Sequence, residues 1–430
     1  GLVGSEMCIR DSCIFVYIVK KEEDIMKKFN KFLSVAVASA MVMAMAGCGN
    51  TDNGSAATGT NAATESAAAS DSAASGSVFK IGGIGPTTGG AAVYGLAVQH
   101  GAEIAVEEIN AAGGINDYQV EFKFQDDEAD AEKSVNAYNA LKDWGAQIID
   151  GSTTSGACIA VTDKTKEDNM FQITPSGSAV ECVQYDNNFR VCFSNPNQGL
   201  ASAQYIGENG LAEKIAVIYD SSDVYSSGIY EKFAKEAENQ PFEIVAAEAF
   251  TADNKTDFSV QLQKAKDAGA DMVFLPIYYQ ESALILTQAA AMGYAPKWFS
   301  CDGMDGILGG VDNFDVSLTE GVMLLTPFAA DATDDLTQSF VTKYKEKYGD
   351  TPNQFAADSY DAIYVIKAAI EKSGVTPDMS VSDICDGMKA AMTEITVDGL
   401  TGSGMTWTAD GEANKAPKAV VIENGAYKAM

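Results

Sequence analysis

The sequence is poor in histidine, in arginine and in positive charge generally, and each shortage removes a class of function. His100 is its one histidine in 430 residues. That excludes a zinc centre built on several imidazoles and leaves a Ser-His-Asp nucleophile a single base to draw on. No Gly-x-Ser-x-Gly elbow occurs, which argues against an α/β-hydrolase. Lys and Arg total 29 against 60 Asp and Glu, a formal charge of −31, so phosphate backbones are repelled and nucleic acid is not an expected partner. Beyond residue 48 the only arginine is Arg190, which rules out a multi-arginine clamp for dicarboxylates, phosphate or sulfate. Hydrophobic residues at 46% and charged residues at 21% are ordinary globular usage, and the length allows two or three domains. No catalytic residue, metal or cofactor is expected. The acidic run Asp126–Asp130 lacks the glycine and distal Glu of a calcium loop, and Asp130 reads as the cap of the next helix.

Near the N-terminus, Met26-Lys27-Lys28 and Lys31 form a basic region before an apolar stretch from Phe32 to Ala46, too short for a comfortable membrane span. It closes on Met45-Ala46-Gly47-Cys48, and the whole resembles a bacterial lipoprotein signal, with Met45 where leucine is more usual. The resemblance implies a signal peptide over 26–47 and a lipid on Cys48. The protein is then expected to be exported and anchored on the extracytoplasmic face of the cell membrane. Residues 1–25 read as non-native upstream sequence. Gly49–Ser77 is almost wholly Ala, Ser, Thr, Gly and Asn, so 48–77 is expected to be a flexible tether with a reach of roughly 30 Å.

From Val78 short apolar runs alternate with helical periodicity. Strands are expected at Val78–Ile84, Val120–Phe124, Ala146–Ile149 and Met170–Ile173, with helices at Tyr94–Asn110 and Ala131–Trp144. A second series follows at Lys214–Tyr219, Phe242–Val245, Asp271–Leu275 and Gly321–Leu325, with helices near 226–239, 256–268 and 280–292. Two such series predict an α/β protein of two doubly wound lobes with largely parallel sheets, whose ligand sits in loops at the carboxyl ends of strands. The loop Gly82–Gly90 fits neither a P-loop nor a G-x-G-x-x-G turn and reads as a hydrogen-bonding turn. Gly151-Ser-Thr-Thr-Ser-Gly156 and Thr174-Pro-Ser-Gly-Ser178 are small and hydroxyl-rich, suited to a carboxylate or to plain turns. Five cysteines follow Cys48: Cys158, Cys182, Cys192, Cys301 and Cys385. Of these, Cys182 and Cys192 flank a turn and read either as a disulfide or as two buried thiols.

The order Lys80–Gly89, Tyr94-Gly95, Glu108-Ile-Asn-Ala-Ala-Gly-Gly-Ile115, Thr174–Ser178 and Tyr225-Ser-Ser-Gly228 resembles the branched-chain amino-acid binding proteins of ABC transporters. Phe355–Tyr360 and Gly404-Met-Thr-Trp407 continue the likeness. It implies a type I periplasmic-binding fold, two lobes joined by three crossovers with the ligand in the cleft between them. Lobe one would be 78–197 plus 329–402, and lobe two 198–328 plus 403–430. It also implies a carboxylate site at Ser155, Ser176 and Ser178, an ammonium site at Tyr278 and Asp302, and walls from Tyr94, Tyr225 and Phe355. Asp302 stands where the family has Glu, and Asp305 could share its task. Small hydroxyls for a carboxylate, Asp with Tyr for an ammonium and aromatic walls for an aliphatic group form a consistent set. The expected protein is a monomeric solute-binding lipoprotein that captures an aliphatic amino acid and presents it to a membrane permease. A binder of amides, urea or another small polar metabolite, or a ligand-sensing ectodomain, would look similar.

Overall fold

The structure, a computed structural model, describes residues 77–430; the expected signal segment, Cys48 and most of the tether lie outside the described residues. The first series runs β1 (Phe79–Gly85), α1 (Ala92–Ala111), β2 (Val120–Asp126), α2 (Ala131–Trp144), β3 (Ile148–Asp150), α3 (Ser155–Asp168), β4 (Phe171–Thr174) and β5 (Asn188–Arg190). Its sheet has the order β2-β1-β3-β4-β5, parallel throughout. Strands β3 and β4 are buried along their whole length, Asp150 and Gln172 included, because helices cover both faces. Local signals set the helix bounds. Asp130 caps α2 by accepting from the Lys133 amide at 2.9 Å, and Gly145 ends it in the left-handed region at φ 93°.

The second series is α4 (Asn195–Glu208), β6 (Lys214–Asp220), α5 (Val224–Ala237), β7 (Glu243–Phe250), α6 (Ser259–Asp267), β8 (Met272–Leu275), α7 (Tyr279–Ala291), β9 (Lys297–Ser300) and β10 (Met323–Thr326). The chain then adds α8 (Asp335–Tyr348), α9 (Gln354–Ser373) and α10 (Val381–Met392), and ends in β11 (Lys418–Glu423) and β12 (Ala426–Ala429). The order β12-β11-β10-β9-β8-β6-β7 repeats the first sheet's topology in its parallel part, with β11 and β12 added antiparallel at one edge. Each sheet therefore reverses direction of winding beside its own first strand, β1 in one lobe and β6 in the other. Those switch points are where open α/β sheets bind ligands.

Helix α9 returns to the first lobe and lies against α1. A β-carbon at Gly101 would stand 2.0 Å from the Ala356 carbonyl oxygen, so the two helices meet backbone to backbone. The chain passes between lobes after β5, after β10 and again before β11. The expected division at 403 falls earlier than the last return: the Arg190 amide donates to the Gly411 carbonyl at 3.0 Å, and the Trp407 indole donates to the Arg190 carbonyl at 2.8 Å, so this stretch still lies on β5. Lys415 then pins the passages together. Its buried ammonium meets Asp358 at 2.7 Å and donates to the Val191 carbonyl at 3.1 Å.

Cys158, Cys182, Cys192, Cys301 and Cys385 are all buried free thiols. Of the two readings for Cys182 and Cys192, the structure has the unbridged one. Among the described residues no helix is long and apolar enough to cross a membrane.

Candidate functional site

Loops at the carboxyl ends of both sheets converge on one small cavity of about 10 Å³, lined by Tyr94, Thr153, Thr154, Ser155, Ser176, Tyr225, Tyr278, Asp302, Gly303 and Phe355. Of the residues expected to touch ligand, only Ser178 is not on that lining. It stands one layer behind, its hydroxyl 3.4 Å from that of Ser155. Asp305 is engaged elsewhere, accepting from the Gln354 amide at 2.9 Å.

The first lobe contributes hydroxyls and amides. Ser155 opens α3, and its Oγ accepts from the Ser178 and Ala179 amides at 3.2 and 3.1 Å. The Ser176 hydroxyl donates to the Thr153 carbonyl at 2.6 Å, and that of Thr174 donates to the Ser152 carbonyl at 2.7 Å, stitching the two hydroxyl-rich loops together. The buried Thr154 hydroxyl has no hydrogen-bond partner among the described residues. An unsatisfied buried hydroxyl costs free energy, so a polar ligand atom within its reach would be favoured.

The second lobe contributes a carboxylate. Asp302 follows β9 and is 5% exposed. Its Oδ1 accepts from the Tyr225 hydroxyl at 2.6 Å and its Oδ2 from the Gln198 amide at 2.8 Å. Burial pushes this carboxyl up to about 7, against those two hydrogen bonds, which pull it down. Tyr225, expected only as a wall, is thus the tyrosine joined to Asp302, while Tyr278 stacks on it with ring centroids 4.9 Å apart. Tyr94 lies 4.4 Å from Phe355 and 5.5 Å from Tyr278, ring centre to ring centre, completing an aromatic lining.

Contacts across the cleft hold the lobes together. The Tyr94 hydroxyl donates to the Gly303 carbonyl, and the Gln354 side chain donates to the Asp302 carbonyl at 3.1 Å. A cavity of about 10 Å³ approaches the lower limit for one water, so any larger solute enters only when the lobes part. Beside it opens a larger hollow of about 280 Å³ whose walls share Thr154 and Tyr278 with the small cavity. Its floor is acidic, with Asp220, Asp223 and Glu281, the last paired to Lys255 at 3.0 Å.

Sequence reasoning missed Gln198, Thr153, Thr154 and Gly303. Thr153 and Thr154 sit inside a loop already singled out, and Gly303 adjoins Asp302. For Gln198 no local signal exists, since it meets Asp302 only through tertiary packing.

The profile of the periplasmic binding protein family matches residues 78–426. A Leu/Ile/Val-binding protein homolog 3 of Brucella melitensis is 30% identical over 300 residues, covering 69% of this chain and 80% of that protein. Among solved structures, the branched-chain amino acid transporter substrate binding protein LivJ from Streptococcus pneumoniae, in complex with isoleucine, superposes with a TM-score of 0.74 at 28% identity. That match covers 82% of this chain and 99% of the other. A solute binding protein from R. palustris in complex with benzoate, 19% identical, shares the fold with a TM-score of 0.72 over 82% of this chain and 95% of its own.

Proposed function

We propose, on the premise that the chain belongs to the periplasmic binding protein family, that it captures an aliphatic amino acid of the branched-chain type between its lobes. The amino acid would then pass to the membrane permease of an ABC importer. The observation that carries this reading is Asp302, a carboxyl buried on the second lobe across a small aromatic-lined cavity from a cluster of hydroxyls and amides on the first. A zwitterion needs both poles met when it leaves water, because an uncompensated buried charge is costly. In this reading the ligand ammonium meets Asp302 and the Tyr225 hydroxyl. Its carboxylate meets Ser155 and Ser176, with Ser178 and the amides behind them. Its aliphatic group lies against Tyr94, Tyr278 and Phe355. The Leu/Ile/Val name of the Brucella relative supports the aliphatic class.

Export and anchoring complete the proposal. A lipid on Cys48 would hold the binding lobes at the extracytoplasmic face within reach of the permease. Replacing Cys48 with Ala is expected to abolish acylation, read by intact mass, and to leave the lobes folded. Acyl mass that persists in the variant contradicts the assignment.

A second reading, a small amide or urea, is favoured by one feature: a carboxyl raised to about 7 spends part of its time protonated and then both donates and accepts, as an amide requires. A thermal-shift series separates the two, since a ligand that binds only the folded state raises the melting temperature. Leucine, isoleucine and valine are expected to raise it more than their amides or urea. The reverse ranking sinks the amino-acid reading.

A further inference from the structure

We propose that Arg190 is the positioning residue that holds the backbone of 177–180 so that its amides fix the Ser155 hydroxyl to receive the ligand's carboxylate. The side chain is fully buried, in a chain with no other arginine after residue 48. It reaches neither cavity, so it is not a clamp on the ligand. Instead its Nη1 donates to the carbonyls of Gly177 at 3.2 Å and Ser178 at 2.6 Å, and its Nη2 to those of Ala179 at 2.9 Å and Val180 at 3.5 Å. Four consecutive carbonyls are gathered on one planar fork.

Peptide geometry gives this arrangement its consequence. In a trans peptide the N–H points away from the C=O of the same unit. Fixing the Gly177 carbonyl toward Arg190 turns the Ser178 N–H away from it, and fixing the Ser178 carbonyl does the same for the Ala179 N–H. Those two N–H groups converge on the Ser155 hydroxyl, at 3.2 and 3.1 Å, on the wall of the ligand cavity. Two peptide dipoles therefore lie between the buried guanidinium and Ser155, their positive ends on its Oγ, which leaves the hydroxyl proton of Ser155 to donate to an anion in the cavity. Among the described residues one carboxylate pairs with the guanidinium within 4 Å, that of Glu412 at 3.4 Å, whose side chain is one-third exposed and so partly solvated.

The inference rests on the amino-acid reading for its ligand, and the test keeps the two apart. The probes are leucine and leucinamide, titrated calorimetrically into the parent protein and into Arg190→Lys and Arg190→Met. Hydrogen exchange of residues 174–182 is followed in each free protein. In the parent, leucine is expected to bind more tightly than leucinamide. In Arg190→Met, leucine is expected to weaken about tenfold or more while leucinamide changes little, with faster exchange at Ser178 and Ala179. Arg190→Lys keeps the charge but not the fork. It is expected to lie between the two and carries the test if the Met variant does not fold. A residue that merely supports the fold would lower both affinities alike. Variants that fold and keep the parent's leucine-to-leucinamide ratio overturn the proposal. A parent without that preference overturns the amino-acid reading, and unchanged exchange in 174–182 then overturns the positioning role as well.

Discussion

At the scale of the residue, Asp302 joins ligand binding to pH. Its carboxyl is raised by burial from its ordinary 3.8 to about 7, so folding takes up a proton between those values. Stability of the ligand-free protein is therefore expected to fall as pH rises across that window, because there the unfolded chain binds fewer protons than the native one. Asp150, at about 7, and Asp358, at about 6, act in the same direction. Binding has the opposite sign. An ammonium ligand selects the charged carboxylate, so affinity is expected to rise with pH up to about 7 and then to level off. Asp302→Asn removes the charge and keeps the shape, and its affinity for leucine is expected to drop a hundredfold or more, since breaking a buried ion pair costs about 3–5 kcal/mol. Its residual binding is expected to lose the rise with pH. Calorimetry from pH 5 to 8 reads both effects, and a folded variant within threefold of the parent would falsify the ammonium assignment.

At the scale of the element, the sequence was legible where local chemistry decides the outcome. Helix α2 runs over Ala131–Trp144 as its pattern predicted, because Asp130 and Gly145 bracket it in the chain itself. Strands β1 and β6 were visible because each is long and largely apolar, and β2 because Val120, Phe122 and Phe124 alternate with polar residues. Strand β5 was not. Its three residues, Asn-Phe-Arg, are buried only because β4 and the 407–411 stretch flank them. The hydroxyl-rich loops could be picked out for the same local reason as α2, whereas Gln198 could not. The antiparallel β11 and β12 were also unforeseen: β11 pairs with β10 across two intervening passages between lobes, whereas the hairpin joining it to β12 carried a local signal in Asn424-Gly425 that went unread. Tertiary contact likewise explains Gly101, which looks expendable in a helix until α9 lies against it. Gly101→Ala is expected to force α1 and α9 apart and to destabilise by about 1–3 kcal/mol, the usual cost of overpacking, rather than gain the slight benefit alanine brings to a free helix. Urea denaturation measures the sign, and a variant as stable as the parent refutes the close approach.

At the scale of the whole molecule, the lobes meet over a cavity too small for an amino acid, held by Tyr94 on Gly303 and Gln354 on Asp302. Hinge closure from an open, admitting form to one that encloses the ligand is the motion expected of two lobes joined by three crossover passages. Small-angle scattering is expected to show contraction when leucine saturates the protein, and an unchanged radius of gyration at proven saturation counts against it. The same three passages fix something else, the order in which the molecule can be finished. The second lobe's parallel strands and helices lie in one stretch, from α4 to β10. The first lobe's sheet is complete by Arg190, yet α9, the helix that covers α1, comes only after Thr326. A chain emerging from its N-terminus must therefore carry α1 uncovered while the later lobe forms. Loop closure over so long a separation is slow. Pulse-labelled hydrogen exchange during refolding is expected to protect β6, β8 and β9 before α1, and early protection of α1 would contradict that order. On that order α1, among the first elements written in the sequence, is among the last to be covered.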